Sequence, residues 1–307
     1  MNNTITLTSF LLLSFLSLAQ EPAADIAVTD SSETTDYVEE EEDHSMLSGS
    51  FVATRIINGH STQTLSKGTL EFRVEHRFGD IAGSNGGVQQ WFGIDNSSDI
   101  RIAFEYGITD NLMIGIGRSK GAGNPYRSLL DGLVKWKFVE QKKGGFPLSL
   151  AVLGTTSYTY MKKSQNIYDV AYFPKEAHRF AYSTQLNISR QLIPRISVSL
   201  MPTMVYRNYV AANDVNALFA IGGAAKIGIT KQMGFIVEYY QGIHDQNVRT
   251  TNTNSLGVAM EFITFGHSFT LNFTNSRGFG ETQFIPYTFE NWLKGQFRFG
   301  FSITRKF

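Results

Sequence analysis

The feature that most constrains this chain is an alternation of apolar and polar side chains with a period of two, from Gly68 to the last residue. In 70–78 one face would carry Leu, Phe, Val, His and Phe, and the other Glu, Arg, Glu and Arg. Because successive side chains of a β-strand point to opposite faces, this pattern predicts strands with two different faces. Twelve segments show it, at about 70–78, 99–108, 112–118, 128–138, 147–160, 178–190, 195–208, 216–229, 234–242, 254–264, 267–276 and 295–307.

The connectors between these segments alternate in length, which favours a membrane barrel over a soluble sandwich. Connectors 79–98 and 277–294 are long, whereas 109–111 and 191–194 are short. Bacterial membrane barrels join an even number of antiparallel strands through short periplasmic turns and longer external loops. We therefore predict an all-β, up-and-down antiparallel transmembrane barrel over residues 68–307, with both termini in the periplasm. It would have about twelve strands, or fourteen if 51–57 also pairs into the sheet.

The last segment carries a terminal pattern that is specific to membrane barrels. Phe299, Phe301 and Ile303 alternate with smaller or polar residues, and the chain ends on Phe307. This resembles the C-terminal β-signal of outer-membrane proteins, which implies the barrel-assembly machinery as a partner. Arg305 departs from the pattern, because an apolar residue is usual at that position; near the rim it could extend its charge into water.

The first 67 residues predict three segments of different character. Residues 1–20 hold an apolar stretch followed by small residues, which predicts a secretory signal peptide cleaved near residue 19 or 20. Residues 21–50 carry ten acidic groups and no Lys or Arg, which predicts a disordered acidic periplasmic arm. Residues 51–67 mix apolar and polar side chains and predict an N-terminal cap or lumen insert. Residues 51–307 then hold all 27 basic residues against the other 17 acidic ones, a net charge of +10.

Several short stretches resemble a known family. Arg55–Ser61, Lys67–Leu70, His76–Asp80, Phe92–Asn96 and Tyr106–Leu112 are similar, in this order, to the opening of a Bacteroidota outer-membrane β-barrel family catalogued as a domain of unknown function. The resemblance covers roughly 51–307. It implies an outer-membrane barrel and no known activity, and it transfers no functional residues.

The candidate functional residues are the charged side chains on the polar faces of the strands. They are Glu71, Arg73, Glu75, Arg77, Arg101, Glu105, Asp131, Lys135, Lys137, Arg207, Lys226, Glu238, Glu261 and Arg298. One interpretation is that they pair across neighbouring strands and seal the lumen, since buried charges need partners. The other is that they line a polar conduit whose basic excess favours anions.

The sequence predicts three functions, of which the first is a passive channel or diffusion porin for a small solute. The second is a non-conducting structural or partner-binding barrel. The aromatic loops at 168–174 and 284–292 would suit either a binding mouth or an inward-folded constriction. The third, an outer-membrane hydrolase, rests on no motif, so we predict no enzymatic activity and no catalytic residues. The six histidines lack metal-ligand spacing and there is no cysteine, so no metal site or cofactor is predicted. Outer-membrane lipid and a small solute are the expected partners, and nucleic acid is not.

Overall fold

The computed structural model describes residues 51–96, 99–123, 125–212, 214–243, 249, 251–264 and 266–307. The predicted signal peptide (1–20) and acidic arm (21–50) lie outside the described residues, so both remain predictions. In the part that is described, no helix is both long and apolar enough to span a membrane.

Twelve antiparallel strands form one closed sheet, in which every strand pairs with its neighbours in sequence and β12 pairs with β1. The strands are β1 Leu70–Asp80, β2 Asp99–Thr109, β3 Leu112–Lys120, β4 Ser128–Val139, β5 Ser149–Thr159, β6 Phe180–Ile193, β7 Ile196–Arg207, β8 Ala217–Gly228, β9 Met233–Ile243, β10 Ser255–Thr264, β11 His267–Thr274 and β12 Arg298–Lys306. The prediction of a twelve-stranded antiparallel barrel is confirmed. The fourteen-strand alternative is wrong, because Arg55 pairs only with His60, in an isolated bridge. Closure has already used both edges of the sheet, so 51–57 has no edge to join.

The two faces of the sheet differ in the way that the alternation predicts. On β4, Val134 and Trp136 are 51% and 52% exposed on the outward face, whereas Lys135 between them is fully buried in the interior. An apolar outer surface is what the hydrocarbon of a bilayer requires, and closure leaves no unpaired backbone edge in contact with it. The barrel therefore presents an apolar wall to lipid and a polar wall to its lumen.

The connectors divide the barrel into two ends. The connections β2–β3, β6–β7, β8–β9 and β10–β11 are tight turns of two to four residues, and β4–β5 joins at the same end; we call it the turn end. The other six connections, including 160–179 and 275–297, lie at the opposite end, which we call the loop end. The chain enters β1 and leaves β12 at the turn end.

The last strand closes the barrel through aromatic contacts on its outward face. The ring of Phe301 stacks on His76 with centroids 5.5 Å apart, and Phe299 stacks on Phe78 at the same distance. Phe307 lies exposed at the rim, with the Arg305 guanidinium 5.0 Å from its ring centroid. These residues occupy outward positions like those of a β-signal; recognition by the assembly machinery remains a prediction.

The seam between β1 and β12 generates a stability prediction. We expect Phe301→Ala to lower the free energy of unfolding by about 0.5–1.5 kcal/mol more than Phe235→Ala, because of these two residues Phe301 alone has ring contacts across the seam. Phe235 is also an outward-facing Phe, on β9. Urea unfolding of the detergent-solubilised barrel, followed by heat-modifiable gel mobility, measures the difference. Equal losses in the two variants would contradict a special role for the seam.

Candidate functional site in the barrel lumen

The N-terminal segment 51–65, which we call the plug, folds inside the barrel as a hairpin. The Ile56 amide donates to the Gly59 carbonyl at 2.9 Å, and the Ser61 amide donates to the Thr54 carbonyl at 3.1 Å. The segment leaves at the turn end, where Thr64 Oγ1 donates to the Asp110 carbonyl at 2.7 Å and the Lys67 amide to Asp110 Oδ1 at 2.9 Å. Residues 54–62 of the plug are all buried, and residues 52–53 and 63–64 on either side of them are half-buried.

Glu238, on the inner face of β9, binds the tip of this hairpin through its backbone. Its two carboxylate oxygens accept hydrogen bonds from three consecutive amides, those of Ile57 at 3.1 Å, Asn58 at 2.8 Å and Gly59 at 3.1 Å. Hydrogen bonds to an ionised acceptor are roughly twice as strong as neutral ones. Three amides that would otherwise be buried without partners are thus satisfied by one wall residue.

Gly59 is required at the tip by close approach to the wall. A Cβ atom at this position would lie 1.8 Å from the Tyr240 hydroxyl oxygen. Tyr240 is fully buried and is held in place, since its hydroxyl accepts from Gln185 Nε2 at 2.9 Å. The tip therefore fits a surface that tolerates no side chain at this point.

Lys135, on the inner face of β4, binds the two arms of the hairpin. Its ammonium donates to the carbonyls of Thr54 at 2.7 Å, Ser61 at 3.2 Å and Gln63 at 2.9 Å. All three donors of a lysine ammonium are used, and all of them by the backbone of the plug. In the described residues it forms no salt bridge.

A second insert comes from the loop end. The β11–β12 connection folds inward over Asn275–Thr288, which we call the inner loop, and contains the single helical turn α1, Glu281–Phe284. Phe284 is fully buried and meets the ring of Tyr240 edge-on, with centroids 4.9 Å apart. Thr282 Oγ1 and Ser157 Oγ are 2.7 Å apart, and Gln283 Nε2 donates to the Tyr126 carbonyl at 3.0 Å. The sequence predicted either a binding mouth or an inward-folded constriction for 284–292, and residues 284–288 of it belong to the inward-folded part. The two glycines that flank Phe279 were the available signal for a tight inward bend.

Two arginines tie the plug to the inner loop in the middle of the barrel. Arg55, in the plug, donates to the Phe279 carbonyl of the inner loop and to the Asn58 carbonyl at 2.6 Å, and lies 3.4 Å from Glu75. Arg77, on β1, donates to Asn58 Oδ1 at 2.6 Å and to the carbonyls of Ser276, at 3.0 Å, and Gly278. The two inserts therefore share partners, with Asn58 at their junction.

The wall charges that surround the inserts are paired with one another. Arg101 contacts Glu75 at 2.7 Å and Asp131 at 2.6 Å, and Arg73 contacts Glu71 at 2.6 Å and Glu105 at 3.8 Å. Further pairs are Lys226–Glu261, Lys137–Glu140, Arg207–Asp214 and Arg298–Glu290. All fourteen candidate residues are thus inside the barrel or at its inner rim, with Asp131 the one that is not fully buried. The structure brings the group around Glu75, Arg73, Arg101 and Lys135 together at the plug and places Arg207 and Arg298 at the loop end.

The inserts leave little space in the lumen. The cavity between the plug, the inner loop and the β4–β5 wall has a volume of about 10 Å³, as does the cavity beside Arg73 and Arg77. About 10–15 Å³ is the volume that one water molecule needs. Each of these two cavities has room for about one water molecule. A third cavity, beside Val52 and Glu71 at the turn end, has a volume of about 50 Å³.

Two titratable groups of the inserts line the first of these cavities. Burial lowers the pKa of His60 well below its usual range, with nearby cationic side chains, Arg55 first, adding to the effect. Burial raises the pKa of Glu281, which Arg55 opposes. His60 is therefore neutral, and its Nε2 lies 3.2 Å from the Arg55 guanidinium.

A closed antiparallel barrel with an apolar outer wall and charged interior defines the protein as a membrane-bound β-barrel of the outer-membrane type. Residues 51–307 match the family described as "Membrane bound beta barrel domain (DUF5777)", and the chain belongs to this family. The matched region begins at Phe51, so the plug is part of the family domain.

Several solved structures align with much of the chain at low identity. The "KdgM porin" is 8% identical with a TM-score of 0.45, and the alignment covers 78% of this chain and 99% of that one. The COG4313 outer membrane channel from Pseudomonas putida F1 is 13% identical with a TM-score of 0.44, covering 80% and 98%. The NanC porin is 7% identical with a TM-score of 0.43, covering 76% and 97%. No curated protein matches the chain.

The close fit of the plug tip generates a prediction. Gly59→Ala places a Cβ against Tyr240, and overpacking of this kind costs about 1–3 kcal/mol, so we expect the plug to leave its site about 5- to 150-fold more often. Limited trypsin digestion reports this, because Arg55 is 5% exposed while the plug is docked and cleavable when it is not.

Gly154→Ala is the matched control for that digestion. This control also replaces a glycine by alanine, but Gly154 lies on the outward face of β5, with no atom within 4 Å of the new Cβ. Cleavage after Arg55 at equal rates in the two variants would show that the plug does not depend on the Gly59 contact.

Proposed function

We propose that this protein is an outer-membrane channel that is closed at rest by its own plug and conducts a small solute when the plug withdraws. The observation that carries the proposal is the way the plug is bound. Lys135 donates three hydrogen bonds to the backbone of the plug, and Glu238 accepts three from it. Water offers the same donors and acceptors, so it can replace these six hydrogen bonds when the plug leaves.

The topology of the plug allows it to withdraw without crossing any strand. Both arms of the hairpin lead back to the turn end, where 51–53 and 64–67 lie beside the β2–β3 and β10–β11 turns. The inner loop, in turn, is attached at the loop end, between β11 and β12. Each insert can therefore leave by the mouth at which it entered, and the sheet stays closed while it does so.

The charges on the wall support an anion as the solute. The candidate lumen residues comprise eight basic and six acidic side chains, and the Lys135 ammonium loses its three carbonyl partners when the plug leaves. Rings of basic side chains favour anions in pores. The solute itself is proposed only as a small anion that fits a twelve-stranded barrel.

The small volume of the cavities around the inserts favours a second candidate function, a non-conducting structural or partner-binding barrel. The four histidines that the structure describes give no support to a hydrolase: His60 is buried against Arg55, His76 faces outward between aromatic rings, and His178 and His267 stack on other aromatic rings. Conductance therefore decides between the first two candidates.

A disulfide lock tests the channel directly, because the chain has no native cysteine. A Cβ on Gly257 would lie 3.0 Å from Ile57 Cγ2, so Ile57→Cys with Gly257→Cys can join the plug to β10. In planar bilayers at raised voltage we expect openings from the wild type and from the reduced variant, and silence from the oxidised variant. Reversal potentials in a salt gradient then measure anion preference.

Ser189→Cys with Ser199→Cys is the matched control for the lock. These buried residues pair across β6 and β7 with hydroxyl oxygens 3.1 Å apart, and neither touches the plug. The oxidised control should open as the wild type does. If folded wild-type and reduced proteins never conduct, the channel proposal fails in favour of a non-conducting barrel; if the oxidised lock still conducts, the plug is not the gate.

Loss of charge at Glu238 generates a second prediction for the same assay. Glu238→Gln removes the anionic acceptor of three plug amides, so we expect the open probability to rise at least tenfold, equivalent to about 1.4 kcal/mol. Glu261→Gln is the control, because Glu261 is a buried wall carboxylate paired with Lys226. An equal rise in both variants would indicate a general loosening of the barrel.

A further inference from the structure

The outward wall of the barrel carries two basic side chains at the loop end of β3. Arg118 and Lys120 continue the outward face on which Ile114 and Ile116 lie, and all four are exposed. On the outward face of the strands the other exposed charged side chains are Arg190 on β6 and Arg305 on β12. The exposed charges on the outward face of the strands are thus all basic, and two of the four lie together at the loop end of β3.

Neighbouring connections add three more bases at the same place. Arg127 immediately precedes β4, and Lys162 and Lys163 follow β5; all three are exposed. The register brings them close to β3, because Lys120 pairs with Ser128 and the Ser128 carbonyl accepts from the Tyr160 amide at 3.0 Å. With neighbouring strands about 4.8 Å apart, the group spans roughly 15 Å. We call Arg118, Lys120, Arg127, Lys162 and Lys163 the basic cluster.

The basic cluster has no carboxylate partner among the described residues. None of its five members forms a salt bridge there. Two acidic residues, Asp169 and Glu176, lie on the same connection as the lysines of the cluster. Glu176 is engaged by the Tyr158 hydroxyl at 2.5 Å and by Arg179 Nε at 3.2 Å, and Asp169 Oδ1 accepts from the Ala171 amide at 2.9 Å. Five bases close together repel one another unless an anion lies among them.

The position of the cluster matches the headgroup level of a membrane. Below it the outward wall is apolar, with Ile116 68% and Leu130 48% exposed. At its own level Tyr158 and Tyr160 lie on the outward side, and the Arg118 guanidinium is 5.8 Å from the Tyr160 ring centroid. Tyrosines concentrate where hydrocarbon meets headgroups. A ligand at this site reaches it along the membrane, because the lumen lies on the other side of the wall.

We infer that the basic cluster binds the phosphate groups of an anionic lipid headgroup in the leaflet at the loop end. The arginine guanidinium offers two parallel donors to a phosphate, and the lysines add mobile point charges. The acyl chains of the same lipid would lie on Ile116 and Leu130, so one molecule satisfies both the charged and the apolar parts of the surface. This site is independent of the gate, since none of its residues contacts the plug.

Native mass spectrometry of the full chain in detergent tests the inference, with diphosphorylated lipid A as the probe and zwitterionic phosphatidylcholine, which has no net charge, as the comparison. We expect one lipid A molecule to be retained, and phosphatidylcholine not to be. Arg118→Gln with Lys120→Gln, and separately Lys162→Gln with Lys163→Gln, should each weaken retention about 25-fold, because each variant removes two bases and a base near a membrane surface contributes about 1 kcal/mol, or about fivefold. The effect should decrease as salt is raised.

Lys142→Gln with Lys143→Gln is the matched control, an exposed lysine pair at the turn end that should leave retention within twofold of wild type. Heat-modifiable mobility confirms that each variant is folded. Equal retention in the cluster variants and wild type, or an equal loss in the control, would overturn the site. If inorganic phosphate at about 10 mM displaced lipid A, the site would bind a free anion, and the inference that its ligand is a lipid would be wrong.

Discussion

Every polar group that a closed barrel directs inward must find a partner inside it, and the rest of this structure depends on that requirement. The strands place a dense set of arginines, lysines and carboxylates on the inner wall, where burial without a partner would cost several kcal/mol for each charge. Wall-to-wall pairs such as Arg101 with Glu75 and Asp131 satisfy part of the set. Lys135 and Glu238 instead find their partners in the backbone of the plug. The chain thus completes its own interior with a segment that belongs to no strand.

The plug and the inner loop are two halves of one filling. Arg55 and Arg77 each contact both inserts, and Asn58 offers its carbonyl to one arginine and its side-chain oxygen to the other. Withdrawal of either insert would leave these arginines with fewer partners, so the two are energetically coupled. A change at the loop end can in this way influence a segment that enters at the turn end, through contacts and without a change in the sheet.

The inner and outer walls both carry arginine and lysine side chains, but in different electrostatic surroundings. Inside, bases are neutralised by carboxylates and carbonyls of the protein. Outside, the basic cluster on β3–β5 lies where the surroundings of the protein supply the anion. Arg118 and Lys135 illustrate the contrast: they lie on neighbouring strands, the first exposed over a tyrosine ring and the second fully buried under the plug.

The sequence by itself determined the sheet. Alternation in β1 and the unequal connectors predicted twelve strands, their faces and their order, because a period of two and loop length are local properties that a chain displays residue by residue. It also predicted, for the same reason, that the fourteen charged candidate residues face inward. What fills the lumen was decided only by the tertiary structure. Lys135 and Glu238 bind backbone groups, which every residue possesses, so no sequence pattern marks their partners. The fit of Gly59 to Tyr240 and the inward bend at Gly278–Gly280 join residues far apart in the chain, and such contacts exist only once the barrel has closed.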